Sequence, residues 1–124
     1  MSLFAAWALP ARHLAAVLGV TLAVSIVSAS PGYAQAPAAA EIIRTHGCPG
    51  CHVIPGIPEA VGKIGPTLEG LGSRDRIVGG SLSNSPANLR RWLRNPKAVR
   101  MTLMTNTGLT EAEIDVLIPF LQTL

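Results

Sequence analysis

Three stretches of the chain place apolar residues at helical spacing, and nowhere do apolar and polar residues alternate in the rhythm of a strand. Ala38 to His46 predicts a helix with Ile42 and Ile43 turned inward and Glu41 and Arg44 in water. Ser85 to Arg94 predicts another. Ser85 is a candidate N-cap, Pro86 sits at the first helical position, and Leu89, Trp92 and Leu93 share a face. Asn95-Pro96 ends it, because the residue before a proline is driven out of helical geometry. The last helix has the clearest start. Thr110-Glu111-Ala112-Glu113 is a capping box, with Leu109 and Ile114 placed as a hydrophobic staple. Ile114, Leu117, Ile118, Leu121 and Leu124 then form one apolar stripe, in which Pro119 removes a hydrogen bond and predicts a kink. Between the first two helices, Val53 to Pro66 holds Pro55, Pro58, Pro66 and three glycines and reads as a loop. Thr67 to Leu71 reads as a single helical turn stopped by Gly72. The expected fold class is all-α, loop-rich, with three to four short helices.

The beginning of the chain has a different pattern. Residues 1–34 contain one basic residue, Arg12, no acidic residue, and an apolar run from Leu14 to Val27. A helix-breaking Pro31 follows, with the small residues Gly32 and Ala34 at the minus-three and minus-one places of a cleavage site. That order predicts a secretory signal peptide over 1–34 and a single mature domain over 35–124. A cut after Ala36 would put Pro37 just past the scissile bond, so the cut is placed after Ala34. The apolar run is shorter than the roughly 20 residues that cross a bilayer. The limits overlap, so an uncleaved membrane anchor stays open.

Residues 35–124 carry nine Lys/Arg against seven Asp/Glu, a balance too mild to argue for nucleic acid. Only Trp92 and Phe120 are aromatic between Glu41 and Leu124, which is sparse for a domain that must build its own core. A chain this short commonly needs a staple such as a disulfide or a metal.

Cys48-Pro49-Gly50-Cys51-His52 supplies the candidate staple. It is a complete C-x-x-C-H pattern: two thiols able to form thioethers with the two vinyl groups of one haem, and an adjacent imidazole for its iron. The chain has no other cysteine. Two other readings of a CxxC compete, a thiol–disulfide pair and half of a zinc site. The first expects a βαβ setting, for which no strand is predicted. The second gives no reason for export, whereas haem attached outside the cytoplasm agrees with a periplasmic address.

With the helices in this order around the motif, residues 38–124 resemble the class I cytochromes c, and more narrowly the small bacterial ones and those appended to oxidase subunits. Four segments carry the likeness: Cys48–His52; Ile64-Gly65-Pro66-Thr67-Leu68; Asn88 to Pro96; and Leu103-Met104 ahead of Gly108-Leu109-Thr110. The resemblance implies a small helical fold wrapped around one haem c, held through Cys48 and Cys51 and ligated by His52. It gives the carbonyl of Pro66 the task of orienting the His52 ring. It makes Met104 the sixth ligand, on a loop between Pro96 and Thr110 draped over the far face of the haem, with Met101 as the alternative. Thr105 stands where the family often has proline. Arg74, Arg76 and Trp92 become candidate partners of the haem propionates. His46 is expected to be exposed. Arg90, Arg91, Arg94, Lys97 and Arg100 form either a solvated face or a patch that steers an acidic partner.

The function that follows is single-electron transport in a periplasmic respiratory chain, by a carrier that is not itself an enzyme. Its redox partners would be a terminal oxidase, a cytochrome bc complex or a dehydrogenase. The alternative is a haem-bearing subunit of a membrane oxidase or dehydrogenase complex. An open iron site, as in a peroxidase or gas sensor, would lack the methionine ligand.

Overall fold

The computed structural model describes the backbone of residues 31–124 and the side chains of 36–124. The apolar run Leu14–Val27, expected to belong to a signal peptide, lies outside the described residues. The helices are α1 (Pro31–Thr45), α2 (Pro86–Arg94), α3 (Pro96–Val99) and α4 (Glu111–Leu121). Single 3-10 turns occupy Cys48–Gly50 and Leu71–Ser73. Two strands, β1 (Arg76–Ile77) and β2 (Leu82–Ser83), pair antiparallel with Arg76 opposite Ser83 and Ile77 opposite Leu82. The molecule is therefore mostly helical but not all-α. Strands of two residues are too short to display alternation, so the hydrophobic pattern could not announce them.

α1 packs across α4, and α2 packs against α4 from another side. The α1–α4 contact is close because Ala39 and Ile43, one turn apart, are buried in the same cluster as Ile114, Leu117, Ile118 and Leu121. Burying one such aliphatic side chain is worth about 1.5–3 kcal/mol, which lets this crossing anchor a small domain. α2 adds Leu89 and Leu93, and the hairpin adds Ile77. The predicted loop after the motif is irregular as expected, yet Ile54, Ile57 and Ala60 are buried and complete the core from below α1. Spaced three apart among prolines, they gave no regular pattern to read.

The caps explain where the helices start. Ser85 Oγ accepts from Asn88 N at 3.2 Å, with Pro86 at the first position of α2. Both halves of the capping box are present on α4: Thr110 Oγ1 accepts from Glu113 N at 3.3 Å, and Thr110 N donates to Glu113 Oε2 at 2.8 Å. Pro119 lies within α4, which continues to Leu121. Three features differ from expectation, the start of α1, the added helix α3 and the place of the turn before β1. α1 begins at Pro31, a residue tolerated where an N–H would be unpaired anyway, and carries Pro37 inside. Asn95 ends α2 and also caps α3, its Oδ1 accepting from Ala98 N at 3.1 Å. The expected turn at Thr67–Leu71 falls later, at Leu71–Ser73, with Gly72 inside it. Gly72 N donates to Leu124 O at 3.1 Å, and a Cβ there would lie 2.1 Å from Gln122 O. The end of α4 thus rests on Gly72.

Among the described residues, no helix is long and apolar enough to cross a membrane.

Candidate functional site

The motif leaves α1 through Gly47, whose φ of 69° is the left-handed geometry that ends a helix and that a side chain would resist. Cys48–Gly50 then makes one tight turn, closed by Cys51 N and His52 N donating to Cys48 O at 3.1 and 3.0 Å. Both cysteines are free and half-buried. Burial pushes the Cys48 thiol up from its ordinary pKa.

The loop that follows folds back along the motif and is laced to it. Gly62 N donates to Pro49 O at 3.1 Å, Gly65 N to Cys51 O at 2.8 Å, and Leu68 N to Val53 O at 2.9 Å. His52 Nδ1 donates to Pro66 O at 2.7 Å, the pairing expected from the Gly65-Pro66 sequence. Gly65 has a second role that the sequence did not reveal. A Cβ on it would stand 2.3 Å from His52 Cε1, so the backbone lies flat against the ring. A Cβ on Gly62 would stand 2.5 Å from the backbone of Cys51. The Pro66 carbonyl therefore sets the tautomer, Gly65 leaves the space the ring occupies, and Gly62 lets the loop close on the backbone of the motif. With Nδ1 carrying the proton, Nε2 keeps its lone pair.

The segment from Arg100 to Leu109 has no regular structure. Met104 is half-buried and packs against the core, whereas Met101 is 97% exposed. Cys48 and Met104 both pack against that core, and Cys51 and His52 are tied to the loop that follows the motif. The arginines expected at the propionates have local partners. Arg74 Nη2 donates to the carbonyls of Thr67 and Glu69 at 2.9 and 2.6 Å, bracing the loop that carries Pro66. Arg76 Nε donates to Gly80 O at 2.7 Å across the hairpin turn. Trp92 is half-buried on α2.

The basic cluster is largely paired. Arg90 holds Glu111 and Asp115, and Arg94 grips both oxygens of Glu111 at 2.6 and 2.8 Å, tying α2 to α4. Arg94, then Arg90, hold the Glu111 carboxyl down to about 2. Arg100 Nη1 donates to Val78 O and Ser81 Oγ at 2.9 and 3.1 Å. Arg91 and Lys97 alone in this cluster make no side-chain hydrogen bond among the described residues.

His46 is not the exposed residue expected. Its side chain retains 15% exposure, Nδ1 donates to Thr107 O at 2.7 Å, and Nε2 meets Glu113 Oε1 at 3.0 Å. Both neighbours are acceptors, so the contacts favour the doubly protonated ring. The Glu113 carboxylate raises its pKa, against the opposing effect of burial. The partners are 61 and 67 residues away in sequence, which is why the sequence gave no sign of them.

Chemically, the site offers two free thiols, an imidazole nitrogen with a fixed lone pair, and a half-buried thioether. That donor set fits a haem bound through two thioethers and one histidine. It fits the competing readings poorly. Reactive CxxC thiols have lowered pKa values, whereas that of Cys48 is raised. Among the described residues, no three or more His, Cys, Asp or Glu gather into a metal-binding set.

The chain is similar to part of two proteins named cytochrome c oxidase subunit 2. One, from Bacillus sp. strain PS3, is 36% identical over 89 residues, covering 68% of this chain and 25% of that protein. The other, from Alkalihalophilus pseudofirmus, is 27% identical over 86 residues, covering 68% of this chain and 24% of that protein. The chain thus spans about a quarter of the length of the curated relatives it matches. No family model matches the chain, and no solved structure does. One expectation is corrected here. A carrier that is not itself an enzyme was expected, but both relatives bear the name of a subunit of an oxidase, which agrees better with the alternative of a subunit of such a complex.

Proposed function

We propose that this chain is the haem c-bearing electron-transfer domain of a respiratory oxidase complex, working on the periplasmic side of the membrane. The observation that carries the proposal is the fixed ring of His52, directly after two free thiols, with Nδ1 tied to Pro66 and Nε2 unengaged. The names of the two relatives support the oxidase as the setting.

Cys48 and Cys51 would hold the haem covalently, His52 would be the proximal ligand and Met104 the sixth. Bound there, haem supplies a one-electron ferric/ferrous couple. The chain's own residues set the conditions for it. Pro66 O keeps the proton on Nδ1, so the imidazole presents Nε2 and gains basicity. Gly65, having no Cβ, leaves the space in which the ring lies. A thioether from Met104 favours the ferrous state and raises the potential over that of two histidines. Arg74 stabilises the Pro66 loop, and a propionate role for Arg74, Arg76 or Trp92 would use donors beyond those bonds.

The test is to express the whole chain with a haem-attachment system, solubilise the membranes in detergent, and purify through a tag on this chain. Haem staining on a denaturing gel should mark the wild-type band and fade strongly in Cys48→Ala and Cys51→Ala. Oxidase subunits and cytochrome c-oxidising activity should co-purify. Full haem retention in both single variants would overturn the attachment. A haem-loaded chain that comes away without any oxidase would overturn the setting.

A further inference from the structure

We infer that His46 is a positioning residue, a clasp that holds the segment carrying Met104 against the helix that leads into the haem motif. The inference rests on the haem reading above and deepens it. Residues 101–109 cross the surface without regular structure, and Met101 and Leu103 are 97% and 84% exposed. The amide of Met104 bonds only locally, to Thr102 Oγ1 at 3.1 Å. Beside the packing of Met104 and Leu109 on the core, the hydrogen bonds from this segment to the rest of the protein, among the described residues, converge on Thr107. Its hydroxyl donates to Leu93 O at 2.8 Å on α2, and its carbonyl accepts from His46 Nδ1 at 2.7 Å. Met104 is three residues away, within a reach of about 10 Å along extended chain.

The other side of His46 is equally well fixed. Nε2 meets Glu113 Oε1 at 3.0 Å, while Glu113 Oε2 accepts from Thr110 N and Oγ1, both at 2.8 Å, in the capping box of α4. One ring therefore joins the end of α1, the start of α4 and the loop between α3 and α4. It sits two residues before Cys48, so the strand of chain bearing the thiols and the strand bearing the thioether are pinned at one point. A loop lacking that pin would leave Met104 freer to depart from the iron.

The experiment uses the haem-loaded whole chain as wild type, His46→Ala, His46→Gln and Ser85→Ala. Ser85→Ala removes the cap of α2, a loss of folding stability outside the clasp. The rate of imidazole binding to the ferric protein reads departure of the sixth ligand, and hydrogen exchange reads mobility of residues 102–109. His46→Ala should speed imidazole entry by about tenfold or more, equivalent to ~1.4 kcal/mol, and hasten exchange across 102–109 with haem still attached. His46→Gln, which keeps one donor, should fall between, and Ser85→Ala should stay near wild type. If the His46 variants and Ser85→Ala behave alike while wild type carries a methionine-ligated spectrum, this inference alone is overturned. A wild type without that spectrum would overturn the functional reading and the clasp with it.

Discussion

Gly65 has no room for a side chain, and the reason is the ring it supports. An added Cβ would stand 2.3 Å from His52 Cε1 and 2.7 Å from Nδ1, the atom bonded to Pro66 O. Gly65→Ala must therefore push the ring aside or shift the loop, and overpacking of this kind costs about 1–3 kcal/mol. Gly50, inside the same motif, faces nothing within 4 Å and has no left-handed backbone. Denaturant titration of the two haem-loaded variants should show Gly65→Ala destabilised by that amount and Gly50→Ala within about 0.5 kcal/mol of wild type. Equal losses would show that the ring is not held by this contact. At this scale the sequence was legible where chemistry is local. The five-residue motif could be read directly, and Pro66 through its resemblance. His46, Gly62 and the packing role of Gly65 were not, because each depends on a partner that only folding brings near.

At the level of elements, local signals were read well where a side chain satisfies its own helix end. Ser85 and Thr110 start α2 and α4 as their neighbours predicted. The misses share a cause. Pro31 and Pro96 were read as breakers, but each opens a helix, since proline at the first position loses nothing. The hairpin is too short to have a pattern. The start of α4 also carries a pH prediction. Thr110 N, with His46 and the Thr110 hydroxyl, lowers the Glu113 carboxyl from about 4.5 to about 2. A depressed folded value means the contribution is complete above about 4.5 and is lost as pH falls toward 2. Wild-type stability should decline through that window, and Glu113→Gln, which cannot titrate, should show a shallower decline. Glu111 titrates in the same range, so the slope should shrink without vanishing. An unchanged slope in Glu113→Gln would remove this carboxylate from the acid response.

For the whole molecule, the α1–α4 crossing and the Ile54–Ala60 loop build a core from aliphatic residues, with Phe120 its one buried aromatic among the described residues. That economy suits a domain that closes around a large apolar cofactor. The paired arginines of α2 leave less of the positive patch than the sequence suggested, so partner choice cannot rest on Arg90 and Arg94. The matched stretches, 89 and 86 residues or about a quarter of each oxidase subunit, are the length of one small domain. The central claim is a haem held by Cys48 and Cys51, with His52 and Met104 on its iron. Its most direct test is the absorption spectrum of the haem-loaded ferric protein, followed into the far red, for wild type and Met104→Ala. The account predicts a weak far-red band in wild type, sharp low-spin bands on reduction, and loss of the far-red band in Met104→Ala. A wild type without the band and with high-spin features, or a band that survives in Met104→Ala, would contradict it.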